Sequence, residues 1–270
     1  MHTEAMDQKF KFATWNIDQA RREEKYEATK FDTRWPLIQS QIRECNADIL
    51  CLQELRNLET SSVTINSLLY EVSQMGYDCH HAFYGPASIA FCLAIFYKRD
   101  KFFPIGLDLQ LLPLGDESKP NMSTVILTLK LRVISSGRVF TVSNTHFGLD
   151  EEEKSKAVQF LAHYLCGMKR YLCAGDFNFF DDREGLNQRT VLLLSNNDLA
   201  YPLKNASGTF MGYEHDAFKQ PFEKMSRLDH VFTDSILRVG ETAYAFGDME
   251  LVKTRQYPSD HLMITFDFII

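Results

Sequence analysis

Short apolar runs alternate with a few amphipathic stretches along this chain, and the two periodicities predict different elements. Phe10 to Trp15 reads as a first strand. From Trp35 to Cys45 the spacing of Trp35, Ile38, Ile42 and Cys45 puts one apolar face on a helix. Asp48 to Leu52 predicts a second strand, and Asn66 to Met75 a second helix stopped by Gly76. Further strands are expected at Ala90 to Tyr97, Thr124 to Val133, Val139 to Thr145, Tyr171 to Ala174, Leu228 to Thr233 and Leu262 to Ile269. Between two of them, Asp150 is placed to cap a helix whose apolar face carries Ala157, Phe160, Leu161, Tyr164 and Leu165. Glu151, Glu152 and Glu153 then sit at the positive end of the helix dipole, so this acidic run reads as a solvated helix start rather than a metal site.

No low-complexity linker or composition shift interrupts the pattern, so one domain over residues 1–270 is expected. It is mixed α/β and strand-rich, with two packed sheets and helices outside them. Composition, 45% hydrophobic and 13% aromatic, is ample for a sizeable core. The formal net charge of −7 argues against a bulk nucleic-acid-binding surface, so an anionic substrate must be met locally, by a metal and a few cations. None of the six cysteines forms a C-x-x-C pair, and Cys51, Cys92 and Cys173 lie inside apolar runs. That usage points to a reducing, cytoplasmic compartment. Neither a signal-peptide pattern nor an apolar stretch of membrane-span length is seen, so a soluble protein is expected.

Several strands run into residues that a core does not want. The first leads to Asn16 and Asp18, the second to Gln53 and Glu54, and the Val139 strand, through Asn144 and Thr145, to His146. The Tyr171 strand leads through Gly175 to Asp176 and Asn178, two residues apart and so able to share a face. Asp229 with His230, and Ser259-Asp260-His261, complete six polar islands. Any one island can be a turn or a solvated loop. Together, at the ends of apolar strands, they read as a site.

The residue types restrict the chemistry. Hard carboxylates such as Glu54 and Asp260, without a cysteine partner, suit magnesium or manganese rather than thiolate-bound zinc. The G-x-S-x-G elbow of serine acyl transfer and the Walker phosphate loop are both missing from the sequence. Metal-assisted hydrolysis of a phosphate ester by water remains.

Thr14-Trp15-Asn16-Ile17-Asp18, Asp48 to Glu54, Asn144-Thr145-His146, Gly175-Asp176-Phe177-Asn178, Arg227-Leu228-Asp229-His230 and Ser259-Asp260-His261 occur in one order along nearly the whole chain. In that order they resemble the endonuclease/exonuclease/phosphatase superfamily, with its DNase I-like fold. The resemblance implies a four-layered α/β-sandwich, two central mixed sheets flanked by helices, with the site at one end of the facing sheets. It implies Glu54 as principal metal ligand, Asn16 beside metal and phosphate, and Asp260 near the metal. It further implies Asp176 as the group that orients or deprotonates the attacking water. Asn178 and His146 become donors to the phosphoryl oxygens, and His261 becomes a phosphate contact paired with Asp229. Asp18 follows an N-x-D variant of the first motif, and its role stays open.

The expected activity is phosphodiester hydrolysis, nuclease-like, by a monomer. The alternatives are a phosphomonoesterase, a phospholipid head-group phosphodiesterase and a catalytically silent binding module. The Trp15-Asn16-Ile17-Asp18 and Pro258-Ser259-Asp260-His261 forms are also similar to the tyrosyl-DNA phosphodiesterase branch. The Trp35-headed helix and Thr209-Phe210-Met211-Gly212 look like a bacterial-type branch instead, so the substrate stays open. Phe83, Tyr84, Phe210 and Tyr213 are candidates for base stacking or for core, and Arg21, Arg22 and Lys25 for phosphate contact or a solvated loop.

Overall fold

The computed structural model describes residues 7–19, 30–57, 61–85, 90–112, 124–180, 183–194, 196–199, 204, 206, 208–210, 225–239, 244–246 and 258–270. One sheet is built from β1 (Lys9–Asn16), β2 (Ile49–Arg56), β3 (Tyr77–Tyr84) and β4 (Phe91–Lys98), in the order β1-β2-β4-β3. Beyond β1 it continues with β13 (Met263–Ile269), which pairs with β11 (Arg238–Val239) and β12 (Tyr244–Phe246). The second sheet runs β5 (Phe102–Leu112), β6 (Thr124–Val133), β7 (Val139–His146), β8 (Tyr171–Asp176), β10 (Asp229–Thr233) and β9 (Asn197–Asp198). Only β1–β2 and β7–β8 are parallel pairs, and all other pairings among the described residues are antiparallel.

The long apolar runs follow from burial on both faces of each central strand. Phe12, Cys51 and Ile95 point toward Leu127, Val142 and Leu172 in a core between the sheets. Their neighbours Ala13, Leu52 and Phe96 point outward, beneath α1 (Phe31–Cys45) and α2 (Ile65–Ser73). On the other side Cys173 and Phe232 meet Ala157, Leu161 and Leu165 of α3 (Glu151–Cys166) and Leu192 of α4 (Arg183–Leu193). Helix, sheet, sheet, helix is the four-layered sandwich expected. Each fully buried large aliphatic or aromatic side chain in these layers stabilises the fold by about 1.5–3 kcal/mol.

Local signals set the helix ends. Asp150 caps α3, its carboxylate accepting from the Glu152 and Glu153 amides at 3.0 Å each. Thr64 and Ser67 form a reciprocal capping box at the start of α2. Asn46, in the left-handed conformation, ends α1. None of the described helices is long and apolar enough to cross a membrane, and all six cysteines are free thiols.

Polar bonds between the sheets reassign two residues of the polar islands. Gln53 donates to Thr14 Oγ1 at 3.0 Å and across the core to Asn144 Oδ1 at 2.7 Å. Asn144 in turn donates to the Leu52 and Ala94 carbonyls at 2.9 Å. Both side chains are wholly buried, where an unpaired amide would cost about 1–3 kcal/mol. Gln53 and Asn144 therefore tie the sheets together.

Candidate active site

Each parallel pair is a βαβ unit: β1-α1-β2 in one sheet and β7-α3-β8 in the other. Ligands of such units gather beyond the carboxyl ends of the strands. The four strand ends carry Asn16, Glu54, His146 and Asp176. The antiparallel strands β10 and β13 begin at this same end, which adds Asp229 and, just before β13, Asp260 and His261.

Backbone irregularities at three residues, Glu54, Asn178 and Gly175, shape this end of the sheets. The β2–β4 register shifts between Leu52 and Leu55, a bulge in which Glu54 takes φ 59°. For a side chain this left-handed geometry is strained, and it points the carboxylate out of the strand into the site. Asn178 has φ 51°, held by an Asp176 Oδ1 bond to its own amide at 2.9 Å and by Lys154 Nζ on its carbonyl at 2.9 Å. Between them, Gly175 lies so close to β7 that an added Cβ would stand 1.9 Å from the Thr145 carbonyl oxygen. Only glycine permits β7 and β8 to approach this closely.

The side chains converge. Asn16 Nδ2 donates to Glu54 Oε1 at 2.9 Å and to Asp176 Oδ2 at 3.0 Å. His146 Nε2 lies 3.6 Å from Glu54 Oε1 and 3.7 Å from Asp176 Oδ2, and His261 Nε2 lies 3.6 Å from that same Asp176 oxygen. Behind His261, Nδ1 meets Asp229 Oδ2 at 2.7 Å. Asn178 Nδ2 donates to the Phe147 carbonyl at 2.7 Å and approaches His146 Nε2 to 3.4 Å. Glu54, His146, Asp176, Asn178 and His261 line a cavity of about 660 Å³ whose walls include Phe91, Phe147, Phe180 and Phe210, with Asn16 and Asp229 buried behind them.

Burial sets the electrostatics. Desolvation raises the Asp176 pKa and Asp229 adds to the rise, while His261, His146 and the Asn16 hydrogen bond oppose it. For His261 burial acts to lower the imidazole pKa, but Asp229 first and Asp176 next lift it well above its usual value. The site thus holds a carboxylate of enhanced basicity against a cationic imidazole.

Seven of the eight predicted site residues, Asn16, Glu54, His146, Asp176, Asn178, Asp229 and His261, are linked by these contacts. Asp260 lines the same cavity, on the His261 side, 3.9 Å from Nε2. It belongs to neither of the two tight groups found among the described residues, Glu54–His146–Asp176 and Asp176–Asp229–His261, whose ligand atoms lie within 4.8 Å of one another. Asp18 stays behind Asn16, its amide donating to Asn16 Oδ1 at 3.0 Å. Of the aromatic candidates, Tyr84 is buried with its hydroxyl on His146, Phe83 is half-exposed on β3, and Phe210 packs 5.0 Å from the His261 ring. Tyr213, Arg21, Arg22 and Lys25 lie outside the described residues.

Sequence reasoning missed the supports. Buried Arg34 donates to the carbonyls of Ile17, Asp18 and Pro258 and so joins the first and last motif loops. Trp15 Nε1 donates to the His261 carbonyl at 2.9 Å. Thr209 Oγ1 accepts from the Leu228 and Asp229 amides. The signal available was a large polar or indole side chain inside or beside an apolar run, which burial obliges to find a partner.

The donor set fits a divalent cation. Glu54 and Asp176 offer carboxylate oxygens within 4.8 Å, without thiolates, as magnesium and manganese prefer.

A sequence profile of the Endonuclease/Exonuclease/phosphatase family matches residues 13–261. Nocturnin of Drosophila melanogaster is 24% identical over 286 residues, covering 90% of this chain and 42% of the relative, so the chain spans less than half that protein's length. An endonuclease/exonuclease/phosphatase family protein from Bacteroides thetaiotaomicron superposes with a TM-score of 0.77 at 16% identity, over 98% of this chain and 99% of its own. D. rerio TDP2, complexed with single strand DNA product, gives a TM-score of 0.70 at 17% identity, over 96% and 98% of the two chains. Six motifs in one order, the four-layered sandwich and the converging site agree with the profile match: the chain belongs to the endonuclease/exonuclease/phosphatase family.

Proposed function

We propose that this chain is a magnesium- or manganese-dependent phosphodiesterase of nuclease type, acting as a monomer. The observation that carries the reading is the convergence of two imidazole Nε2 atoms on one buried carboxylate oxygen, Asp176 Oδ2, at 3.7 and 3.6 Å. A phosphoryl group above that oxygen meets donors on both sides and a base beneath.

Glu54, with Asn16 beside it and Asp260 nearby, would hold the cation. When bound, the cation offsets the phosphate's negative charge, which otherwise repels the attacking oxygen. Asp176, made more basic by burial, takes the proton of the attacking water, a contribution of about 10²–10⁴-fold. His261, kept cationic by Asp229, donates from Nε2 to an oxygen on which charge grows. His146 and Asn178 donate from the opposite side. All these groups come from one chain, which supports the monomer. Free thiols throughout support a reducing compartment, the cytoplasm.

The aromatic walls support a diester, because the arms of a diester carry organic groups that such walls accept. Phe180 can stack a nucleobase, and the likeness to a structure holding single strand DNA product supports nucleic acid among the substrates. The test is hydrolysis of bis(p-nitrophenyl) phosphate with magnesium or manganese. Chelation should abolish it, and Asp176→Asn should abolish turnover while manganese binding, followed calorimetrically, persists. Chelator-resistant turnover, or near-normal activity in the variant, refutes the reading. A panel of single-stranded DNA, duplex DNA, RNA, a 5′-tyrosyl oligonucleotide, a phosphoinositide and sphingomyelin then selects the substrate.

A further inference from the structure

Every site histidine needs a hydrogen-bond partner behind it, because the second ring nitrogen decides what the first can do. His261 has a carboxylate there. His146 has a phenol: Tyr84, the last residue of β3, places its hydroxyl 2.6 Å from His146 Nδ1. We propose that Tyr84 is a positioning residue that fixes His146 as the Nε2–H tautomer, so that Nε2 always presents a hydrogen to the phosphate; the catalytic half of this rests on the hydrolytic reading above.

Three observations carry it. The Tyr84 ring is 4% exposed and locked, stacked on Phe91 with centroids 5.6 Å apart and standing edge-on, at 90°, to the His146 ring. Its hydroxyl has one hydrogen-bond partner among the described residues, Nδ1. If Nδ1 carried the hydrogen, the phenol would accept and its own hydrogen would be buried without an acceptor, an unfavourable state. Only a bare Nδ1 satisfies both groups.

The carboxylates on the far side of the ring favour the same tautomer. Nε2 faces Glu54 Oε1 at 3.6 Å and Asp176 Oδ2 at 3.7 Å, while Asn178 Nδ2, 3.4 Å away, gives its short hydrogen bond to the Phe147 carbonyl at 2.7 Å. A lone pair aimed at two carboxylates is repelled, whereas an N–H is attracted. Burial, with Glu54 next, holds the Tyr84 phenol well above its usual pKa, so it keeps the proton it donates.

The experiment is a ¹H–¹⁵N two-bond correlation spectrum of the ¹⁵N-histidine-labelled protein, beside steady-state kinetics on bis(p-nitrophenyl) phosphate. Wild type should show His146 as the Nε2–H form, and Tyr84→Phe, which deletes one oxygen and keeps the ring, a mixture of tautomers. The variant's kcat should fall about tenfold with KM unchanged. Adding Tyr84→Phe to His146→Gln should cost nothing further, because the tyrosine acts only through the imidazole. An Nδ1–H signal in wild type, an unchanged tautomer in Tyr84→Phe, or a full additional loss in the double variant overturns the proposal. The spectrum needs no turnover, so a failure of the hydrolytic reading and a failure of the tautomer assignment give different results.

Discussion

Strand β10 carries two buried histidine–aspartate pairs back to back, and they have opposite uses. Asp229 points between the sheets and holds His261 at 2.7 Å. The next residue, His230, points the other way, toward α3 and α4, and holds Asp198 with Nδ1 at 2.9 Å, beside Arg189 at 3.2 Å. The distances and burial are alike. The far nitrogen differs: His261 Nε2 faces Asp176 across the cavity, while His230 Nε2 is sealed among Phe177, Phe179 and Phe232, with no hydrogen-bond partner among the described residues. An imidazole backed by a carboxylate becomes machinery only when its other nitrogen is left something to act on. Otherwise it is part of the core.

Breaking each pair should separate the two roles. Asp229→Asn leaves shape and removes the charge that keeps His261 cationic, so kcat on bis(p-nitrophenyl) phosphate should drop about 10³–10⁴-fold, by analogy with loss of the orienting aspartate in a catalytic triad. Its urea midpoint should move little, and a drop under tenfold would dissolve the distinction. Asp198→Ala should do the reverse. It takes away the carboxylate that buried His230 Nδ1 meets and one partner of Arg189, costing about 3–5 kcal/mol of stability by urea denaturation, while kcat per folded molecule stays within twofold.

Trp15→Phe tests the support of the active pair. Losing the indole donor to the His261 carbonyl should cost about 1–3 kcal/mol of stability and a few-fold in kcat. The smallest effect is on the acid limb of stability. Burial acts to raise the Asp198 pKa, but His230 and Arg189 bring it below its usual 3.8. A carboxylate depressed in the folded state contributes stability that is present above that unfolded value and lost as pH falls through the folded one. Denaturation curves below about pH 4 should therefore steepen in wild type and flatten in Asp198→Asn; parallel curves would count against the charged pair.

The sequence made one of these pairs visible and hid the other. Asp229 and His230 formed one polar island, and alternation along a strand sends adjacent residues to opposite faces, yet nothing in the island said which face was the cleft. Asp198 had no motif to announce it. The Gly175-Asp176-Phe177-Asn178 stretch was legible because a two-residue spacing has geometric meaning. Glu54 was legible as a residue but its bulge was not, since a register shift depends on the partner strand. Gln53 and Asn144 looked like site residues because burial of a hydrogen-bonded amide and exposure of a catalytic one leave the same letter. Whole elements were passed over as well: β3, where Asp78, His80 and His81 blur the apolar pattern, β5, where Pro104 and Gly106 do, and α4. Tyr84 and Arg34 act across the tertiary structure, where no local pattern reaches.

Trp15 and His261, bonded through indole and carbonyl, stand 246 positions apart. Strand β13, which follows His261, is an interior strand that pairs with β1. A segment that stops short of His261 would hold Glu54, His146 and Asp176 without the cationic donor and without the strand that pairs with β1. Site and first sheet are completed by one segment, so a cut just ahead of His261 should undo both together.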